Sequence, residues 1–251
     1  MKPDSSGRDE DLKLIPIAEK TVKNLVKGDE SHPLTYMQRE GFMKEESFKS
    51  RIKLEIMKFA KLYKRMYLDY EYLICSEAFV KKDFYIIKAE ENNFQHLTGV
   101  HSLIKPTEFF RKAYNDILDE NDFDFIKRGQ SEKMVKGLVR RKMKASAQMF
   151  SLFDESALAE ENFIKNSIHC SFATADYGCT LGFVNVGKAR PQTLLKGNGL
   201  NLERAKSVDV VLRKKTGAKY FSEIVYGEKE MIEKYKGKLK KEIELAIKPF
   251  F

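Results

Sequence analysis

The sequence has no tryptophan, only four histidines and three cysteines among 251 residues, and no apolar run near the roughly eighteen residues that a membrane-spanning helix requires. Each shortage excludes something. A membrane-spanning protein is ruled out on the last count, and the polar opening MKPDSSGRDED lacks the apolar stretch of an export signal. Cys75, Cys170 and Cys179 are odd in number and have no CxxC spacing, so they suggest neither a disulfide framework nor a zinc knuckle. The expected compartment is therefore a reducing cytoplasm. Also missing are HExxH, GxGxxG, a glycine-rich phosphate loop and a carboxylate trio at metal-ligand spacing. Nucleotide-driven and metal-dependent chemistry are disfavoured, and no cofactor or metal is expected. What is present is charge: 46 Lys and Arg against 37 Asp and Glu, a net +9, with 42% hydrophobic residues to build a core. Such a balance favours polyanions, nucleic acid first and an anionic membrane surface second.

Along the chain, Met1–Glu10 is polar, and a helix is predicted from Pro16 to Val26, closed by Gly28. A polar linker with Pro33 and Gly41 follows to Glu46, so residues 1–45 read as an N-terminal helical extension and 46–251 as one domain. Phe48, Ile52, Ile56, Phe59 and Tyr63 recur at helical spacing over about Glu46–Leu68. Tyr70–Ser76 and Phe84–Glu90 read as strands of a hairpin, Pro106 as a helix start, and Ser131 as the cap of a basic helix with Met134, Leu138, Met143, Ala147 and Phe150 as its apolar side. From Ser167 the period becomes two: Ile168–Thr174, Thr180–Val186, Val208–Leu212 and Tyr220–Val225 predict four antiparallel strands. A charged helix over Lys229–Ile247 closes the chain. Helices first and strands later make the class α+β.

The densest stretch is Phe84–Val100, FYIIKAEENNFQHLTGV. A strand runs into Asn92 and Gln95, placed as a capping box with Asn93 as the alternative cap, so that His96 falls in a first helical turn with unpaired N–H groups, and Gly99 closes the turn. The segment Phe94-Gln95-His96-Leu97-Thr98-Gly99-Val100 resembles the signature of the fourth phage-type barnase/EndoU/colicin/RelE-like nuclease family. Downstream, Ala175-Asp176-Tyr177, Leu181-Gly182-Phe183 and Pro191-Gln192-Thr193-Leu194-Leu195 are similar to the same family's later segments, in the same order. The resemblance implies an antiparallel sheet of barnase/EndoU/RelE type packed by helices, and a nuclease in a bacterial host cell. It transfers residue by residue only to His96, Thr98, Gly99, Pro191 and Thr193.

Metal-free RNA cleavage needs a base for the 2′-OH, an acid for the leaving 5′-oxygen and cations for the phosphate. His96 is the candidate base or acid, against the alternative of a buried structural histidine. Arg190 before Pro191 in a loop, Thr193 and Tyr220 complete the candidate catalytic set, each with an ordinary structural alternative. Thr98, Lys188, Lys214, Arg140 and Arg141 are candidate phosphate contacts. The ordinary reading, and the favoured one, has Thr98 bonding back within its own turn and the basic helix presenting only a solvated face. His169 is a weaker candidate, while His32 and His101 read as surface residues. The leading reading is a metal-independent ribonuclease acting on RNA. The others are a catalytically silent RNA- or protein-binding module acting as an inhibitor or decoy in a phage–host conflict, and an enzyme transferring a group to nucleic acid; a host or antitoxin protein is a candidate partner beside RNA.

Overall fold

A computed structural model describes residues 47–154 and 156–238. The extension predicted over residues 1–45, with its helix and His32, and the last part of the closing helix lie outside the described residues.

Helix α1 (Phe48–Tyr63) starts where Ser47 accepts the N–H of Ser50, and it buries Ile52, Ile56, Phe59, Ala60 and Tyr63, the stripe that the sequence spacing marks. A π-helical turn, Lys64–Leu68, leads into β1 (Tyr70–Ser76), which pairs antiparallel with β2 (Phe84–Ile87). A 3₁₀ turn, Glu91–Asn93, precedes the short helix α2 (Phe94–Thr98). Then β3 (His101–Ser102), α3 (Pro106–Tyr114) and β4 (Phe123–Asp124) follow, β4 pairing with β3. Helix α4 (Glu132–Met149) starts at the cap Ser131. The strand-rich half holds β5 (Leu158–Glu161), β6 (Ile164–Lys165), β7 (Ile168–His169), β8 (Phe172–Ala175), β9 (Cys179–Val186), β10 (Lys188–Lys196), β11 (Lys206–Lys215) and β12 (Glu223–Tyr226), before α5 (Lys229–Lys236).

Among the described residues these strands do not form the expected open four-stranded antiparallel sheet. They close on themselves in the order β1-β2-β10-β9-β8-β5-β11 and back to β1, with β12 added alongside β11. Two strands make the closure. The ten-residue β11 pairs with β1 from Tyr70 opposite Lys215 to Ser76 opposite Val208. Strand β10 pairs with β9 along its length and with β2 in parallel, Ala189 opposite Ile87. The sequence around Arg190-Pro191 reads as a loop because proline cannot donate to a ladder. Here Pro191 is accommodated by a register shift between Pro191 and Thr193, the kind of bulge that lets a strand carry one. Joining the early hairpin to the late strands leaves neither with a bare edge. The run Ile168–Thr174 is also broken, into β7 and β8, and Tyr220 precedes β12 instead of starting it.

The two faces of β1 show how the core divides. Tyr72 and Ile74 join the large cluster under α1–α4, while Leu73 and Cys75 join Phe221, Ile232 and Tyr235 near α5. Helix α2 is pinned by Phe94, whose ring lies 5.0 Å from that of Phe59 and 5.4 Å from that of Phe110. Burying such a ring contributes about 2–3 kcal/mol, enough to hold a helix of one and a half turns that would not persist in isolation.

Candidate active site

The position of His96 follows from its neighbours. Phe94 and Leu97 are fully buried, which turns His96, just before Leu97, outward. The capping box lies two residues earlier than the sequence suggests: Asn93 Oδ1 accepts the Glu90 N–H at 2.9 Å and the Glu90 side chain accepts from the Asn93 backbone. Gly99 then takes φ of 82°, a left-handed conformation that ends α2 and sends the chain into His101.

His96 opens onto a cleft of about 710 Å³ between α2, α4, β10 and the segment before α4. Its walls include Gln95, His101, Lys127, Arg128, Lys142 and Thr193, together with the apolar Val100, Ile126, Leu138, Ile168 and Leu195. Three cations and two imidazoles thus face one space whose lining has no carboxylate. Lys142 is the most constrained of them. It is 7% exposed, and its Nζ donates to the carbonyl of His96 at 2.8 Å. Burial, with a smaller contribution from Lys127, pulls its ammonium down to about 8. The His96 imidazole is also held below its ordinary value, first by loss of solvent at the cleft wall and then by Lys142 and Lys127, so the neutral ring is favoured. Burial lowers Lys127 as well. Thr193 is 5% exposed, and its hydroxyl has no hydrogen-bond partner among the described residues.

The other sequence candidates are placed elsewhere. Arg190 lies on β10, not in a loop, and pairs with Glu90 at 2.9 Å. Lys188 and Lys214 converge with Lys88 on the buried carboxylate of Glu71, at 2.9, 3.5 and 3.5 Å. Thr98 is fully buried and donates to the Gln95 carbonyl at 2.7 Å, bonding within its turn. Tyr220 is exposed beside Lys219, and His169 lies in β7. Arg140 and Arg141 are exposed on α4, Arg140 stacked 5.2 Å above the ring of Phe48. Of the candidate catalytic set, only His96 and Thr193 share the cleft.

Lys127 and Arg128 escape the sequence reading, and His101 and Lys142 escape it as cleft residues, His101 being read as a surface residue and Lys142 as part of the basic helix. Lys142 does so because the buried side of α4 runs through Val135, Val139, Met143, Ala145 and Met149, leaving Met134 61% exposed. Reading the apolar stripe from Val135 would have put Lys142 on its border. Among the described residues no three His, Cys, Asp or Glu side chains gather where they could hold a metal ion, and no helix is long and apolar enough to cross a membrane.

The fold is a closed, strand-rich α+β core, and its cleft, lined by three cations and two histidines, favours an anionic ligand. The chain belongs to the phage-Barnase-EndoU-ColicinE5/D-RelE like nuclease4 family, whose model matches residues 55–245. No curated protein and no solved structure matches it. Membership makes nucleic acid the expected class of substrate.

Proposed function

We propose that the protein is a metal-independent endoribonuclease whose active site is the His96 cleft, within a domain running from residue 46 to 251. The observation that carries this reading is the meeting of His96, favoured in its neutral form, with Lys127, Arg128 and Lys142 in one cleft. A neutral imidazole accepts a proton near neutral pH. The 2′-hydroxyl of RNA gives its proton to His96 and attacks its own phosphorus, while the three cations and the free hydroxyl of Thr193 stabilise the extra charge on the phosphoryl oxygens. DNA lacks that nucleophile and is not a substrate for this step. Apolar Ile126, Ile168 and Leu195 along the walls offer contact to a base or ribose without reading its edges.

The test is incubation of the purified chain with total RNA in EDTA, with the fragment ends analysed. Fragments ending in 2′,3′-cyclic phosphate that are absent with His96→Ala are the expected result. RNA that is bound but left intact would favour the binding-module reading.

A further inference from the structure

His101 lies two residues beyond Gly99 and lines the same cleft as His96. It is not a solitary surface histidine. In the β3–β4 ladder it stands directly opposite Asp124, so the two side chains leave the same face. Its Nδ1 lies 2.9 Å from Asp124 Oδ1, and that same oxygen accepts the N–H of Ile126 at 2.9 Å, which fixes the carboxylate. An ionised carboxylate only accepts, so Nδ1 carries the hydrogen and Nε2 remains for exchange. Among the described residues no group bonds Nε2, and half the side chain, 49%, is open. A carboxylate that orients one ring nitrogen and offsets an imidazolium is the arrangement by which histidines are made to donate and accept protons on nucleophilic enzymes.

We propose that His101, oriented by Asp124, is the general acid of the reaction and His96 its base, an assignment that rests on the ribonuclease reading above. The O2′–P bond forms as the P–O5′ bond breaks. His101 enters as the imidazolium, offset by Asp124; the 2′-hydroxyl proton passes to His96, and the departing O5′ takes the Nε2 proton of His101, which is left as the neutral ring with its hydrogen on Nδ1. The products are a 2′,3′-cyclic phosphate and a 5′-hydroxyl, and solvent returns both rings to their starting states. His101 is catalytic because it touches the leaving group, and Asp124 is a positioning residue.

An oligoribonucleotide with a 5′-bridging sulfur at the linkage cut by the wild type separates the two roles, since a thiolate leaves without a proton. His101→Ala is expected to lose about 100-fold on the oxygen linkage, the usual scale for a general acid, and to recover to within about fivefold of wild type on the sulfur linkage. His96→Ala should be impaired on both. Asp124→Asn, which keeps the imidazole, should lose activity on oxygen and regain it on sulfur, a pattern that loss of fold would not give. His101→Ala cutting the oxygen linkage at the wild-type rate, or impaired equally on both linkages, overturns the assignment while the ribonuclease reading stands. A wild type inert on both linkages removes the ribonuclease reading and this assignment with it.

Discussion

The ammonium of Lys142 donates to the carbonyl of His96 at 2.8 Å, its stem lying across Gly99 so closely that a Cβ there would stand 2.7 Å from Lys142 Cδ. A carbonyl at the end of α2 is thereby satisfied, and a cation is held beside the histidine at the expense of burying it.

That expense makes Lys142 a residue the fold would be better without. A fall from 10.5 to about 8 corresponds to roughly 3 kcal/mol against the charged form, and the lost hydrogen bond offsets about 1 kcal/mol of it. Lys142→Met is therefore expected to raise stability at pH 7 by about 2 kcal/mol in urea unfolding while lowering cleavage at least tenfold. The sign of the linkage agrees. The folded value lies below the unfolded one, so wild-type stability should rise as pH climbs from about 8 toward 10.5, and the variant should lack that rise. A Lys142→Met protein that is both weaker and fully active would make the lysine a structural clamp.

Gly99→Ala meets two penalties in one place. A left-handed φ of 82° costs a non-glycine residue about 1 kcal/mol, and the methyl must displace the Lys142 stem. A loss of about 2 kcal/mol is expected. The double variant with Lys142→Ala should recover part of it, and strict additivity of the two changes would show that they do not touch.

The pH dependence of cleavage is set on its acid side by His96. Its folded value lies below the ordinary 6.5, so the base stays neutral to a lower pH than a free histidine would, and activity should fall off only below 6.5. With Lys142→Met one neighbouring charge is gone and the inflection should move up toward 6.5. The same depression means that the unfolded chain binds more protons in that window, so this group's contribution to stability rises with pH across it. An inflection unmoved by Lys142→Met, measured on kcat/KM, would detach the two residues.

What the sequence discloses and what it hides divide along physical lines. Helices α1, α3 and α4 and strands β1 and β9 are legible from local signals: the apolar spacing of α1, the starts at Pro106 and Ser131 of α3 and α4, and the two-residue period of the strands, as in YEYLICS. Closure of the barrel is not legible, since it depends on β10, whose Pro191 reads as a break until a partner strand shows the bulge. His96 is legible through its motif. Lys142, Lys127 and His101 are not, because they gather from α4, the segment before it and β3 only in three dimensions, and Lys142 breaks the expectation that lysines stay in water. Lys188 and Lys214 look like any exposed cation in sequence, whereas a buried glutamate on another strand binds them.

That glutamate, Glu71, is 2% exposed, and burial alone would raise it; the hydrogen bond from Lys188 and the charges of Lys188, Lys214 and Lys88 hold it below its ordinary value. Glu71→Gln leaves three lysines without their counter-charge and is expected to cost about 2–3 kcal/mol, below the range for a fully buried pair because Lys88 and Lys188 are partly solvated. Since the folded value is depressed, the stabilisation is present above the ordinary carboxylate range and lost as pH falls through the folded value. Melting curves of wild type and variant should converge in acid. Cleavage at pH 7 should be unchanged, because none of the four residues lines the cleft; a large loss of kcat would return Lys188 and Lys214 to the phosphate-binding set.

Salt dependence distinguishes the cations that meet RNA from those that face water. Each phosphate neutralised on a single strand contributes a slope of roughly −0.7 to log K against log salt. Lys127 and Arg128 line the cleft, and Arg141 lies one turn beyond the cleft-lining Leu138, its Nη1 bending back toward Gly137. Arg140 points elsewhere on α4, occupied by the ring of Phe48. Binding of an oligoribonucleotide to the His96→Ala protein, followed by fluorescence anisotropy over a salt series, should therefore lose roughly 0.7 in slope for each of Lys127→Gln, Arg128→Gln and Arg141→Gln, and nothing for Arg140→Gln. The magnitude decides between the alternatives. A solvated helix face predicts no change for either arginine, a general electrostatic surface predicts the same small change for both, and only a track entering the cleft predicts that two adjacent arginines differ. Equal slopes for Arg140→Gln and Arg141→Gln would leave α4 without a defined RNA path, with binding confined to the cleft itself.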